Sequence, residues 1–168
     1  MGKIMLRGKY GIVIVDMQPA FLDGCSNAEK SCLISNVNAL VKFGKSKSLP
    51  IWALEMSSVG KTVLEVRSGL EGYFGVNFVS KKFASGFKHT SLDGSLKGFS
   101  VRNLVYAGLC KGVCVKETIA DGEARYSPFI SLDLTGVDDS ENRWYESHTN
   151  YFPTYRELVA FLDKEVSR

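Results

Sequence analysis

Three polar residues stand where three apolar runs end: Asp16 after Tyr-Gly-Ile-Val-Ile-Val, Lys81 after Val-Asn-Phe-Val-Ser, and Cys114 just beyond Asn-Leu-Val-Tyr-Ala-Gly-Leu. In an open parallel sheet the carboxyl ends of the strands face the ligand crevice, so an acid, a cation and a thiol could meet there. Gly108-Leu-Cys-Lys-Gly-Val-Cys114-Val-Lys-Glu-Thr-Ile reads as a strand running through a tight turn into a helix, with the Cys114 thiol in the first helical turn. Unpaired N–H groups and the positive end of the helix dipole there favour thiolate, which predicts a lowered pKa. The same N–H groups could receive an oxyanion when the sulfur attacks a carbonyl.

Each residue also has a plain structural reading. A cysteine in an apolar segment is more often packed and inert. An aspartate ending a buried strand caps a helix or a turn about as often as it works at a crevice, and Lys81 with Lys82 could be a solvated surface pair.

The elements that would position these groups alternate along the chain. Residues 10–15, 50–54, 76–80, 102–107 and 128–134 are short β-branched or aromatic runs bounded by Gly, Pro, Ser or charge. Ser26-Asn-Ala-Glu29 is a capping box opening a helix with the stripe Leu33, Val37, Leu40, Val41 and Gly44, which ends near Lys45. A second box, Thr154-Tyr-Arg-Glu157, follows Pro153 and starts a C-terminal helix with Leu158, Phe161, Leu162 and Val166 on one side. Strands separated by helical patterns imply right-handed crossovers, hence a three-layer α/β/α sandwich around a mainly parallel sheet of five or six strands. The stretch 136–152 shows no period and holds either a short sixth strand or a surface loop.

The 168 residues, 45% hydrophobic and 23% charged, fit one domain over 1–168 that needs no disulfide staples. A net charge of +3 without a basic stripe argues against nucleic acid as a partner. The first residues lack the apolar stretch of a signal peptide and no run reaches membrane-spanning length, so the expectation is a cytoplasmic protein without a membrane partner. Cys25, Cys32, Cys110 and Cys114 are too few and too unevenly spaced for a disulfide framework. Cys110 and Cys114 could form a redox pair across a turn, although redox motifs usually have two intervening residues rather than three. Gly60-Lys61-Thr62 copies the end of a phosphate-binding loop, but the first glycine is missing and Glu55 would oppose a triphosphate.

Taken together, three segments resemble the isochorismatase-like cysteine hydrolases, the family of nicotinamidases, N-carbamoylsarcosine amidase and isochorismatase. Ile12-Val-Ile-Val-Asp16-Met-Gln18-Pro-Ala-Phe21 matches the family's strand followed by Asp-x-Gln-x-x-Phe. Lys81-Lys-Phe-Ala-Ser85-Gly-Phe87-Lys-His-Thr90-Ser-Leu92 resembles the lysine segment and selects Lys81 over Lys82. Val105-Tyr-Ala-Gly108 through Cys114-Val115, with Thr118 and Asp121, is similar to the nucleophile segment.

The resemblance implies the strand order 3-2-1-4-5, extended by a sixth strand if one forms. It implies catalysis by Asp16, Lys81 and Cys114 on a small amide-like C–N bond through a thioester. A cis Leu109–Cys110 bond would aim the Cys110 and Cys114 amides at the oxyanion, with Phe21, Phe87 and Leu109 as pocket candidates, although composition alone suits a core role for either phenylalanine. It also implies a homo-oligomer. No cofactor is implied, and Glu55-Met-Ser-Ser-Val-Gly-Lys-Thr-Val replaces the Asp-x-His cluster of metal-bearing relatives, so no metal is expected. The segment Lys111-Gly112-Val113 departs from the family's small polar residues, which leaves room for a catalytically silent member acting as a ligand-binding or assembly protein.

Overall fold

The β-branched run Tyr10–Val15 forms the central strand β1 of a sheet that buries both faces. Ile12 and Ile14 point to one side and Val13 and Val15 to the other, all at most 1% exposed, as the two-residue strand period requires. The structure is a computed structural model and describes residues 10–136 and 141–167. Strands β2 (Ile51–Met56), β3 (Val76–Lys81), β4 (Asn103–Gly108), β5 (Ser127–Ser131) and β6 (Tyr151–Phe152) complete a parallel sheet of order β3-β2-β1-β4-β5-β6. This is the expected order with the sixth strand present.

Helix α1 (Pro19–Leu22) follows β1 directly, with proline at its first position. Helix α2 (Asn27–Ser46) starts at the expected capping box: the Ser26 side chain accepts from the Glu29 amide and the Glu29 carboxylate from the Ser26 amide. Its stripe Leu33, Val37, Leu40 and Val41 joins Ile12, Ile14, Ile51 and Ala53 in one core layer. Helices α3 (Leu64–Leu70), α4 (Leu92–Gly98), α5 (Lys116–Gly122) and α6 (Asn142–Glu146) follow, and α7 (Tyr155–Ser167) closes the chain. Leu158 and Leu162 of α7 lie in the α2 layer, while Leu92, Leu96 and Ile119 cover Val13, Val15, Trp52 and Tyr106 on the opposite face.

The expected strand 128–134 is shorter than the sequence suggests, because residues 132–134 turn into a 3₁₀ segment. Asp133 is the cause: one carboxylate oxygen accepts from the Ser131 hydroxyl at 2.5 Å and from the Tyr155 amide at 2.8 Å, ending the strand and tying it to the start of α7. The stretch 136–152 holds both α6 and β6 among its described residues. No helix among the described residues is long and apolar enough to cross a membrane.

Register brings the site together. Val15 lies level with Leu54 and with Gly108, and Met56 with Lys81, so β1, β3 and β4 all end at one edge of the sheet. Gly108 is required there. Its φ is +115° and a Cβ would stand 2.0 Å from the Val15 carbonyl oxygen, so only glycine lets β4 close onto β1 at this point.

Candidate active site

Asp16 sits one residue past β1 in the left-handed region, φ 49°, a conformation aspartate tolerates better than most residues. Its amide donates to the Leu54 carbonyl at 3.0 Å, and its carbonyl accepts from the Gln18 amide at 2.6 Å. Gln18 is fully buried and clamps both backbone groups of Met56, its Oε1 accepting at 2.8 Å and its Nε2 donating at 2.9 Å. The acid–glutamine pair of the motif thus divides its work: Gln18 holds β2 beside the loop, and Asp16 is left facing Lys81.

The Lys81 ammonium lies 2.8 Å from Asp16 Oδ2, with neither side chain exposed. It also donates to the carbonyls of Phe83 and Ala84, each at 3.1 Å. Three oxygens thus surround the ammonium, which fixes it as a buried counter-charge to Asp16. Burial pushes the Asp16 pKa above the ordinary aspartate value, opposed by the Lys81 hydrogen bond and charge and, more weakly, by the Cys114 thiol and the Met56 amide. Apart from the ion pair, neither carboxylate oxygen completes a well-aligned hydrogen bond, which keeps the second oxygen available to the thiol.

Cys114 lies in a π turn, Lys111–Val115, that opens α5. The Leu109–Cys110 bond before it is cis, as the family resemblance implies. The Val113 and Val115 amides both donate to the Cys110 carbonyl, at 3.1 and 3.0 Å, whereas the Cys110 amide donates to no backbone carbonyl among the described residues. Thr118 donates its hydroxyl to the Cys114 carbonyl at 2.6 Å and accepts from the Gly86 amide at 2.9 Å, fastening the nucleophile turn to the lysine segment.

One expectation is corrected here. The Cys114 pKa is raised, not lowered: its hydrogen bond to Cys110, burial and the Asp16 charge all oppose ionisation, and Lys81 only partly offsets them. The helix-terminus reasoning counted N–H groups as free, but the turn spends two of them on Cys110. The shift favours the protonated thiol at Cys114, beside a buried carboxylate. Cys110 moves the other way, down to about 7, because the Cys114 thiol donates to it.

A cavity of about 410 Å³ opens at this edge, lined by Phe21, Cys25, Glu29, Leu109, Cys110, Val113 and others of the turn, with Thr135 and Gly136. Phe21 and Leu109 are where they were expected. Phe87 is not: it stacks on Tyr126, centroids 5.8 Å apart, in the core layer away from this cavity. Cys114, 5% exposed, lies beneath Cys110 rather than among the lining residues. Sequence reasoning passed over Cys25, Glu29 and Thr135, which reach the cavity from the turn before α2, from α2 itself and from the segment after β5. It also passed over α6, whose Tyr145 hydroxyl donates to the Lys111 carbonyl at 2.6 Å and whose Asn142 accepts from the Lys111 ammonium, propping the π turn from outside. A larger hollow, about 690 Å³, borders Ser127, Trp144 and His148 where β5 begins, the end of a parallel strand opposite to the one that binds ligands.

The phosphate-loop alternative at Gly60-Lys61-Thr62 is overturned. Glu55 accepts from both the Thr62 amide and its hydroxyl at 2.9 Å and from Arg67 at 3.0 Å, so a carboxylate fills the position where a phosphate would need donors. Among the described residues no three His, Cys, Asp or Glu side chains group to hold a metal ion.

A sequence model of the isochorismatase domain matches residues 10–149. The chain belongs to the isochorismatase family. Among characterised relatives, ureidoacrylate amidohydrolase RutB of Pseudomonas syringae pv. syringae is 25% identical over 176 residues, covering 78% of this chain and 72% of that protein. The same enzyme of Acinetobacter baylyi is 43% identical over 44 residues, only 26% of this chain and 18% of that protein. In fold, the chain resembles an isochorismatase-like hydrolase from Alkaliphilus metalliredigens, with a TM-score of 0.77 at 20% identity over 92% of this chain and 99% of that one. N-carbamoylsarcosine amidase from Thermoplasma acidophilum gives a TM-score of 0.71 at 21% identity over 82% and 90%.

Proposed function

We propose that this chain is a single-domain cysteine hydrolase that cleaves a small amide-like C–N bond through a thioester on Cys114. The observation that carries the reading is the fully buried Asp16–Lys81 pair standing against a buried thiol beneath a cavity. RutB and N-carbamoylsarcosine amidase, both named for reactions at C–N bonds, add support.

In this mechanism the Cys114 sulfur attacks the amide carbon while Asp16 accepts the thiol proton. The raised pKa of Asp16 suits a group that must both take and return a proton. The carbonyl oxygen gains its charge against the Cys110 and Cys114 amides. Asp16 then gives the proton to the leaving nitrogen, the C–N bond breaks, and the acyl group stays on sulfur. Water enters as the amine departs, Asp16 takes a water proton, and collapse of the second tetrahedral species returns that proton to Cys114 and frees the acid. Lys81 stays charged throughout, holding Asp16 in place.

We further propose a cytoplasmic homo-oligomer. Four unpaired cysteines suit a reducing compartment. Phe78 on the edge strand is 39% exposed and Phe74, just before it, 86%, an apolar surface that a second copy would cover.

Screening small amides for ammonia release tests the reading. Cys114→Ala and Asp16→Asn should each abolish turnover, and rapid quenching should trap an acyl adduct on Cys114. Wild-type turnover by Cys114→Ala would refute the nucleophile, and no turnover of any amide would favour the silent-member reading, which the cover of Cys110 over Cys114 also suits.

A further inference from the structure

The cavity wall presents a thiol that the hydrolytic mechanism does not use. Cys110 contributes only its backbone amide to the proposed oxyanion site, yet its side chain lines the cavity, half-buried, between the solvent and Cys114. We propose that Cys110 is a second reactive thiol of the site, a modification site for peroxides, whose oxidised sulfur is captured by Cys114 as a reversible disulfide.

Three observations lead there. The two thiols lie within each other's electrostatic reach, each altering the other's ionisation. They stand at the two ends of one tight turn, closed where the Cys110 carbonyl receives both the Val113 and Val115 amides. Cys110 lines the cavity with its pKa lowered, while Cys114 is 5% exposed, so an oxidant entering the cavity meets Cys110 first.

The chemistry balances. The Cys110 thiolate attacks one peroxide oxygen: an S–O bond forms, the O–O bond breaks, and the departing hydroxide takes a proton from solvent. Cys110 is oxidised to the sulfenic acid and the peroxide is reduced to water. The Cys114 sulfur then attacks the Cys110 sulfur as Asp16 accepts its proton. The S–S bond forms, the S–O bond breaks, and the hydroxide that leaves takes up that proton as a second water. Two thiols and one hydrogen peroxide give one disulfide and two waters, and a dithiol reductant reverses the product by exchange. If Cys114 is the hydrolytic nucleophile, as proposed above, the disulfide switches the enzyme off and shields it from irreversible oxidation. The disulfide itself does not depend on that reading.

The test uses the full chain exposed to a slight excess of hydrogen peroxide, alkylated, and mapped without reduction. Trypsin cuts after Lys111 and Lys116, which puts the two cysteines on different peptides, so the disulfide appears as a linked pair with a mass lower by two hydrogens. The expected result is that link, with Cys110 reacting about tenfold faster than the exposed Cys32. Cys114→Ala should accumulate Cys110 sulfenic acid that dimedone traps. In Cys110→Ser, Cys114 should go on to sulfinic acid that a dithiol does not reverse. A Cys25–Cys110 link, or oxidation of Cys32 ahead of Cys110, overturns the proposal. These readouts need no amidase activity, so they stand or fall apart from the hydrolase assignment.

Discussion

Replacing Lys81 by methionine removes the cation and leaves the Asp16 carboxylate buried against its former partner's apolar stem. In the wild type the ammonium is 2.8 Å from Oδ2 and both side chains are shielded from water. Breaking a buried pair by deleting one partner costs about 3–5 kcal/mol, since the remaining charge is neither solvated nor compensated. A domain of this size has roughly 5–15 kcal/mol in total, so Lys81→Met should fold with a melting temperature lower by roughly 6–20 °C at pH 8.

The loss should depend on pH in a definite direction. The Asp16 pKa is already raised in the folded protein, and without Lys81 it rises further. An acid whose folded pKa exceeds its unfolded pKa burdens the fold above the folded value, and the burden lifts as pH falls through it towards the ordinary aspartate range. The gap between variant and wild type should therefore be full at pH 8 and clearly smaller at pH 5. Urea melts at the two pH values measure it, with midpoint and slope read separately. An equal gap at both would mean that Asp16 titrates in neither protein between the two pH values, and the raised pKa on which its proposed acid–base role rests would fall. Activity should fall with the same variant, and its acid limb should move to higher pH.

Gly108→Ala should destabilise the fold by at least about 2 kcal/mol in a urea melt, because the new Cβ meets the Val15 carbonyl oxygen at 2.0 Å with φ at +115°; an unchanged midpoint would show that β4 does not close onto β1 there. Tyr145→Phe, which frees the Lys111 carbonyl from a buried 2.6 Å hydrogen bond, should cost about 1–3 kcal/mol and lower kcat more than it changes KM, and a KM effect alone would mean that α6 does not position the nucleophile turn. Glu29 lies in the cavity wall, and hydrogen bonds from Ser26 hold its carboxyl below the usual range, so β-alaninamide should be preferred a few-fold over butyramide and butyramide over succinamate. Glu29→Gln keeps the capping box and should erase that ranking in kcat/KM at low salt, and a ranking that survives would assign charge selection to another group.

What the sequence made legible was whatever could be read from one segment at a time. Asp16 and Lys81 end apolar runs, and parallel topology alone obliges such ends to meet, so their ion pair follows once the strand order is right. The Ser26–Glu29 box and the Thr154 cap act locally, and both helices begin where these residues put them. The failures needed knowledge of partners. The turn's amides could be counted in the sequence, but not that Cys110, burial and the Asp16 carboxylate would all press on the thiol, and these reversed the expected direction of the Cys114 pKa. Phe87 sits in a segment that touches the site, yet its ring turns to Tyr126, which lies 39 positions later. Strand β6 has two residues, too few for any period to register. Asp133 reads as one more polar residue at a strand end, and only the fold reveals that it anchors Ser131 and Tyr155 together.

The same contrast separates what the site shares with its family from what is its own. In the roles proposed for them, Asp16 and Lys81 answer to a constraint any member with this chemistry would face: a carboxylate that must stay near the thiol, out of water and ready to exchange a proton, needs a buried counter-charge that cannot itself wander into the reaction. Lys81 meets this by standing between the Asp16 carboxylate and two carbonyls of its own segment. Residue 110 faces a looser constraint, because its proposed hydrolytic duty is discharged by a backbone amide that any side chain would leave in place. A thiol there is consequently free to serve another purpose, and its position over Cys114, on the cavity side of the same turn, gives the nucleophile a neighbour able to react before it does.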